Sequence, residues 1–268
     1  GQGTPTCLVP LQRWRPATIT SLIAAAAIAL SMLVATKANA TTVTDVADRT
    51  VEVPDHPERV LLGFYFEDFF AIVGPNAYDR VVAISKDTWH GWRNLQWKAY
   101  TKTTRRIEQL IDVGEVDSGT FSAEAAIAAK PDVAILAAWQ FNAMGDAAAK
   151  LEAAGIPVVV VDYNAQTVAK HVASTLVIGK VMGAEDRARK LADEYADAVA
   201  EVEARVAAAM AAGTPKKKVY VELGAKGADE PGNSYGDVMW GGVIATAGGQ
   251  NIAIGQVARW GVLSPEFV

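Results

Sequence analysis

The chain has 268 residues, 51% of them hydrophobic, with 25 Lys and Arg against 30 Asp and Glu for a net charge of −5. That length suits one large domain or two smaller ones. The acidic balance argues against sequence-independent nucleic-acid binding, and a single cysteine excludes an internal disulfide framework.

The mean hydropathy of +0.14 is high for a soluble protein, and much of the excess sits at the front. Arg13 and Arg15 precede an uncharged apolar run from Thr18 to Ala35, and Ala38-Asn39-Ala40 follows it. A basic start, an apolar run and an A-x-A ending describe a secretory signal peptide over residues 1–40, cleaved after Ala40. The other reading is an uncleaved membrane anchor, for which the run is at the short limit. Residues 1–40 hold Arg13, Arg15 and Lys37 and no carboxylate, so the remainder carries 22 basic and 30 acidic residues, net −8. Cys7 leaves with the leader, so the mature chain has no thiolate for a metal site or a nucleophile. The expectation is an exported, soluble protein of the periplasm.

Thr42–Val46 and Thr50–Val53 alternate about Ala47-Asp48-Arg49, which predicts a β-hairpin. Arg59–Gly63 reads as a buried strand and about Glu67 to Val73 as a helix. Val81–Ile84 is the next strand, followed by a polar and aromatic stretch from Lys86 to Arg106. Ser122 and Glu124 begin a short helix that Lys130-Pro131-Asp132 ends. Val133–Leu136 is a strand, Asn142–Ala154 a helix closed by Gly155, and Val158–Val161 a further strand. Alternation at this spacing predicts a parallel sheet covered on both faces.

From Gln166 to Ala212 no strand signal occurs. Leu191, Tyr195, Val199, Val202, Val206 and Met210 recur at helical steps, with Glu194, Asp197, Glu201, Glu203 and Arg205 on the opposite face. Gly179 and Gly183 divide the region, and a helix of about 28 residues from Glu185 would be about 42 Å long. After Gly213-Thr214-Pro215, Val219–Leu223 restarts the strand pattern. The expected organisation is a leader over 1–40, an α/β lobe over 41–165, a helical connector over 166–213 and a second α/β lobe over 214–268. Gly119–Glu124 and Gly261–Glu266 both fit G-x-[FL]-S-x-E, and in each the serine is a candidate N-cap. Because the second copy falls at the end of the chain, the second lobe is expected to be incomplete.

Three stretches carry a family pattern: Thr42–Leu62, then Phe121–Glu124 with Lys130–Val133, then Leu151–Val158. In this order they resemble the periplasmic substrate-binding proteins of ABC importers for iron–siderophore, haem and cobalamin. The resemblance implies two Rossmann-like lobes with parallel sheets joined by a long rigid α-helix, the ligand lying between them. It implies a binding function without catalysis and no resident cofactor, the ligand being an iron chelate, haem or cobalamin. The implied partners are an ABC permease dimer with its ATPase, and a monomer is expected. In that family an acidic residue of each lobe docks on permease arginines, and the matching positions are Glu124 and Glu266. The plainer reading is that each acid complements a helix N-terminus, worth about 0.3–1 kcal/mol.

Ligands of open α/β sheets bind beyond the carboxyl ends of strands. By that rule the expected ligand contacts are Tyr65 and Phe66 beside Phe64, then Trp139 and Gln140 beside Phe141. In the second lobe they are Lys226, Tyr235 and Trp240. Trp89, His90 and Arg93 join them from a stretch that holds Trp92, Trp97, Tyr100, Lys98, Lys102, Arg105 and Arg106 and no acid between Arg93 and Arg106. Aromatic walls and local positive charge suit a bulky anionic chelate. Packed cores and solvated helix faces are the plainer explanations, and Phe69 and Phe70 are read as core. His56, His90 and His171 are too few and scattered for a bare metal site. The ferric siderophore is ranked before haem and haem before cobalamin.

Two other functions compete. Gly232-Asn233-Ser234-Tyr235-Gly236 fits G-x-S-x-G, the nucleophile elbow of a serine hydrolase, but lacks a strand directly before it and a histidine after it. A two-lobed binding module reporting to a membrane sensor is the third.

Overall fold

The computed structural model describes residue 3 and residues 39–268 except 225, 226 and 228. The expected leader lies almost wholly outside these residues, as does Lys226. Asn39–Val268 forms one compact unit.

The unit opens with the expected hairpin, β1 (Ala40–Thr44) antiparallel to β2 (Thr50–Pro54). Its turn is tied down by buried Asp45. One carboxylate oxygen accepts the Ala47 and Arg49 amides, each at 3.0 Å, and the other accepts the Val160 amide at 3.1 Å. The hairpin is thereby fastened to the main sheet.

That sheet has five strands: β3 (Val60–Leu62), β4 (Val81–Ile84), β5 (Ile111–Asp112), β6 (Val133–Ala137) and β7 (Val158–Val161). Their order is β5-β4-β3-β6-β7 and every pairing is parallel. Residues of β3, β6 and β7 are buried throughout, which is why they read as unbroken apolar runs. Val60, Leu62, Ile135 and Val159 enter one core with Phe66, Phe69 and Ile178. Leu61, Ala134, Leu136 and Val160 enter the other with Ala126, Ala148 and Leu151. The first core is closed by α1 (Phe66–Val73) and α6 (Val168–Met182), the second by α3 (Ala123–Ala128) and α5 (Asp146–Ala153). Between β4 and β5 lies α2 (Asn94–Thr103).

The Lys130-Pro131-Asp132 segment has a structural task. Asp132 accepts the Glu58 and Arg59 amides at 2.8 and 3.1 Å, while the Arg59 guanidinium donates to the Ala129 and Lys130 carbonyls at 2.6 and 2.9 Å. It aligns the starts of β3 and β6. The helix expected over Asn142–Ala154 is two helices, α4 (Ala138–Ala143) and α5, separated at Gly145 with φ 54°. Trp139 and Gln140 therefore stand on a helix where a loop was expected.

Helix α6 ends at Gly183, whose φ of 71° is left-handed, and α7 (Glu185–Ala211) runs for 27 residues. A Cβ at Gly179 would come within 2.3 Å of the Ala188 methyl, so the glycine lets the two helices close on each other. Among the described residues no helix is long and apolar enough to cross a membrane.

Beyond α7 the strands are short. β8 (Lys218–Val219) pairs parallel with β10 (Gln250–Asn251), with α8 (Trp240–Thr246) between them in sequence. β9 (Asn233–Tyr235) pairs antiparallel with β11 (Trp260–Val262). The strand expected through Leu223 stops at Val219.

Candidate ligand-binding site

The strand order reverses between β3 and β6, and a doubly wound sheet opens its crevice at that point, outside the carboxyl ends of the strands. The residues there are Phe64 and Tyr65 after β3 and Trp139 after β6. Phe64 and Trp139 meet edge to face with centroids 5.3 Å apart. Gly63 makes the approach possible, since a Cβ there would lie 2.4 Å from Gln140 Oε1.

A third wall comes from the segment after β4. Asp87–Gly91 is a π-helical turn, closed by the Trp92 amide donating to the Asp87 carbonyl at 2.9 Å. Such wide turns are frequent at functional sites. A Cβ at Gly91 would sit 2.4 Å from Asp87 Oδ1, so a larger residue there would displace the Asp87 carboxylate. The turn brings Trp92 over Trp139, rings near parallel at 28° and 6.0 Å apart, and sets the Arg93 guanidinium 4.5 Å above the Phe64 ring. Trp92 remains 49% exposed. Arg93 also pairs with Glu67 at 3.4 Å, both partly exposed, so solvent screens the contact and makes it weak.

Tyr65 caps α1 from a left-handed conformation with φ 55°. Its hydroxyl donates to Asn164 Oδ1 at 3.2 Å and its ring meets Tyr163 edge on at 5.0 Å. Burial, then the Asp162 charge, pushes its phenol far above the ordinary range, so it stays protonated and can donate. The Asn164 carbonyl accepts the Met239 amide at 2.9 Å, linking this edge to the start of α8.

The expected contacts divide. Tyr65, Arg93 and Trp139 come together around Phe64, but Phe64, Tyr65 and Trp139 are themselves buried, which leaves Arg93 and Trp92 as the accessible members. Trp240 is 55% exposed at the first residue of α8. His90 is exposed, its ring edge-on to Trp97 at 5.3 Å.

Phe66, Trp89 and Gln140 are corrections, because all three are fully buried. Phe66 and Trp89 stack on each other at 4.1 Å inside the first core. Gln140 Nε2 donates to Glu115 Oε2 at 2.8 Å and to the Gly63 carbonyl at 3.2 Å, and its Oε1 accepts the Ala137 amide at 3.2 Å. It supports the crevice floor from below. Burial pushes the Glu115 carboxyl upward despite these donors. Tyr235 is buried within β9. Arg106 is structural, donating to the carbonyls of Tyr78, Asp79 and Val81 at 3.0–3.1 Å.

Glu67, Tyr163 and Asn164 escaped the sequence reading. The strand-end rule applied to Val158–Val161 points at the segment carrying Tyr163 and Asn164, as it does to Phe64 after β3. Glu67, inside a helix, gave no such signal.

Glu124 is exposed in the first turn of α3, where Ser122 Oγ accepts the Ala125 amide at 3.0 Å as the N-cap. Glu266 is exposed in a turn closed by the Phe267 amide on the Ser264 carbonyl at 3.0 Å, not in a helix. Ser234 of the G-x-S-x-G segment lies mid-strand in β9 and is 1% exposed. A nucleophile elbow needs an exposed serine on a strand-to-helix turn, so the hydrolase reading fails on geometry. No group of three or more metal-ligating side chains occurs among the described residues.

Comparison with known proteins agrees with this architecture. A crystal structure of the TroA-like periplasmic binding protein FepB from Veillonella parvula is 30% identical, with a TM-score of 0.75 over 85% of this chain and 66% of that one. The chain thus spans just under two thirds of that relative's length. The molybdate periplasmic binding protein MolA of a Haemophilus influenzae ABC transporter is 16% identical, with a TM-score of 0.60 over 84% of this chain and 70% of that one. The siderophore binding protein BauB, bound to a complex of two acinetobactin molecules and ferric iron, is 20% identical, with a TM-score of 0.58 over 85% of this chain and 72% of that one. These last two share the fold. No curated protein sequence matches significantly. The family model for periplasmic binding proteins matches residues 60–268, and the chain belongs to that family.

Proposed function

We propose that this protein captures a ferric siderophore in the crevice at the β3–β6 switch point and delivers it to an ABC permease with its ATPase. The observation that carries the reading is half-exposed Trp92 stacked on buried Trp139, with the Arg93 guanidinium beside it over buried Phe64. The exposed Trp92 ring can receive the apolar or aromatic skirt of a chelate, and the guanidinium can pair with its carboxylate or catecholate oxygens. The chelated iron is cargo and undergoes no chemistry here. BauB, which carries ferric acinetobactin on the same fold, supports the choice of cargo. In this reading Glu124 and Glu266 dock on permease arginines, both being exposed and free to form charge-assisted hydrogen bonds.

The test is tryptophan fluorescence during titration with catecholate and carboxylate ferric siderophores, haem and cobalamin. Saturable quenching by a ferric siderophore, weakened about tenfold or more in Trp92→Ala and Arg93→Ala, is expected. No saturable quenching by any ferric chelate, or tighter binding of haem or cobalamin, overturns the reading.

A further inference from the structure

A cavity of about 180 Å³ lies where α1 meets α6 and α7. Asp68, Tyr163, His171, Thr175, Leu191 and Tyr195 line it. His171 and Tyr195 stack with rings 4.5 Å apart and 10° from parallel, and Tyr163 meets His171 edge on at 5.2 Å. His171 Nε2 is bonded to the Tyr163 carbonyl at 3.0 Å, and the Tyr163 hydroxyl to Thr175 Oγ1 at 2.9 Å, so the ring walls are held in place.

The one acid in this lining, Asp68, is partly buried and lacks a cationic partner among the described residues. Arg93, whose charge reaches it, is paired with Glu67 and lies over Phe64. Burial and the neighbouring Glu67 push the Asp68 carboxyl up to about 6, the mark of a charge with too little compensation. Burial pushes the His171 imidazole down, so it adds no opposing cation near neutral pH. An uncompensated carboxylate among fixed aromatic rings is the arrangement that binds alkylated ammonium groups, by ion pairing at one end and cation–π attraction at the sides.

We propose that this cavity is a binding site for a small organic cation, an alkylammonium group held by Asp68 and the rings of Tyr163 and Tyr195. The cavity adjoins the Phe64–Trp139 crevice through Tyr163, whose ring also meets Tyr65, and the proposal stands whether or not that crevice takes an iron chelate.

Isothermal titration calorimetry with tetramethylammonium chloride, against sodium chloride at equal ionic strength and against neutral tert-butanol, tests it. Saturable heat with the ammonium salt alone is expected, weakened about tenfold or more in Asp68→Asn and less in Tyr195→Leu. Three results overturn it: no saturable heat beyond that of sodium chloride, equal binding of tert-butanol, or Asp68→Asn binding within about twofold of the unaltered protein.

Discussion

The lobe of residues 39–165 and the segment of residues 214–268 use the same vocabulary of short strands and helices with opposite results. In the lobe, β3, β6 and β7 are covered on both faces, and Val60, Leu62, Leu136 and Val160 are fully buried. In the segment, Trp260 is 41% and Val262 49% exposed although both lie in β11. The difference is one of layers. A strand becomes a stable element when helices bury both its faces, and two-residue or three-residue ladders without that cover rest on little beyond their hydrogen bonds.

The largest test of this contrast removes bulk from each region. Leu151→Ala empties a fully buried site and should cost about 2–5 kcal/mol, whereas Val262→Ala should stay within about 0.5 kcal/mol. Urea denaturation measures both, and equal losses would break the comparison.

Next comes pH, where the two regions should differ in sign. Asp68 in the lobe has its carboxyl raised by burial to about 6, above its unfolded value of about 4. The folded state therefore holds that proton more tightly, and stability from this group falls as pH rises from about 4 to about 6. Asp68→Asn should remove that slope and add about 1–2 kcal/mol at pH 7, the full shift being discounted for partial exposure. Glu222 in the segment is held low by hydrogen bonds from the Gly232 amide at 2.7 Å and the Tyr220 hydroxyl at 2.8 Å. Its contribution is present above the unfolded value and is lost as pH falls through the folded one. Denaturation midpoints of Asp68→Asn and Glu222→Gln across pH 3–8 should move in opposite directions.

The smallest test compares the two copies of G-x-[FL]-S-x-E. Ser122→Ala removes a helix cap and should cost about 1 kcal/mol, while Ser264→Ala, in a turn closed by backbone atoms, should cost a few tenths at most. Thermal melts read the pair, and a loss at Ser264 matching that at Ser122 would mean that it too caps a helix in solution.

The lobe was legible in the sequence because two-sided burial writes itself as Val-Ala-Ile-Leu and Val-Val-Val-Val, and α7 because its apolar residues keep helical steps. Direction was harder to read. Trp139 and Gln140 are neighbours, yet Trp139 packs on the crevice rings while Gln140 reaches beneath them to Glu115. That divergence depends on α4 beginning at Ala138, which no local signal announces. Trp89 and Trp92 look equivalent in the sequence, but the wide turn between them sends one into the core and the other to the surface. At Ser264 only four residues follow the candidate cap, too few for a packed helix, and Ser264–Phe267 forms a turn.

The π turn at Asp87–Gly91 makes the crevice a product of backbone pitch as much as of side-chain choice. Each residue of an ordinary helix advances the azimuth by about 100°. Taking one residue out of this loop would swing the indole and the guanidinium away from their present bearings while every amino-acid type stayed the same. Single-residue insertions and deletions here thus reshape this ring cluster in ways that a catalogue of point substitutions would overlook.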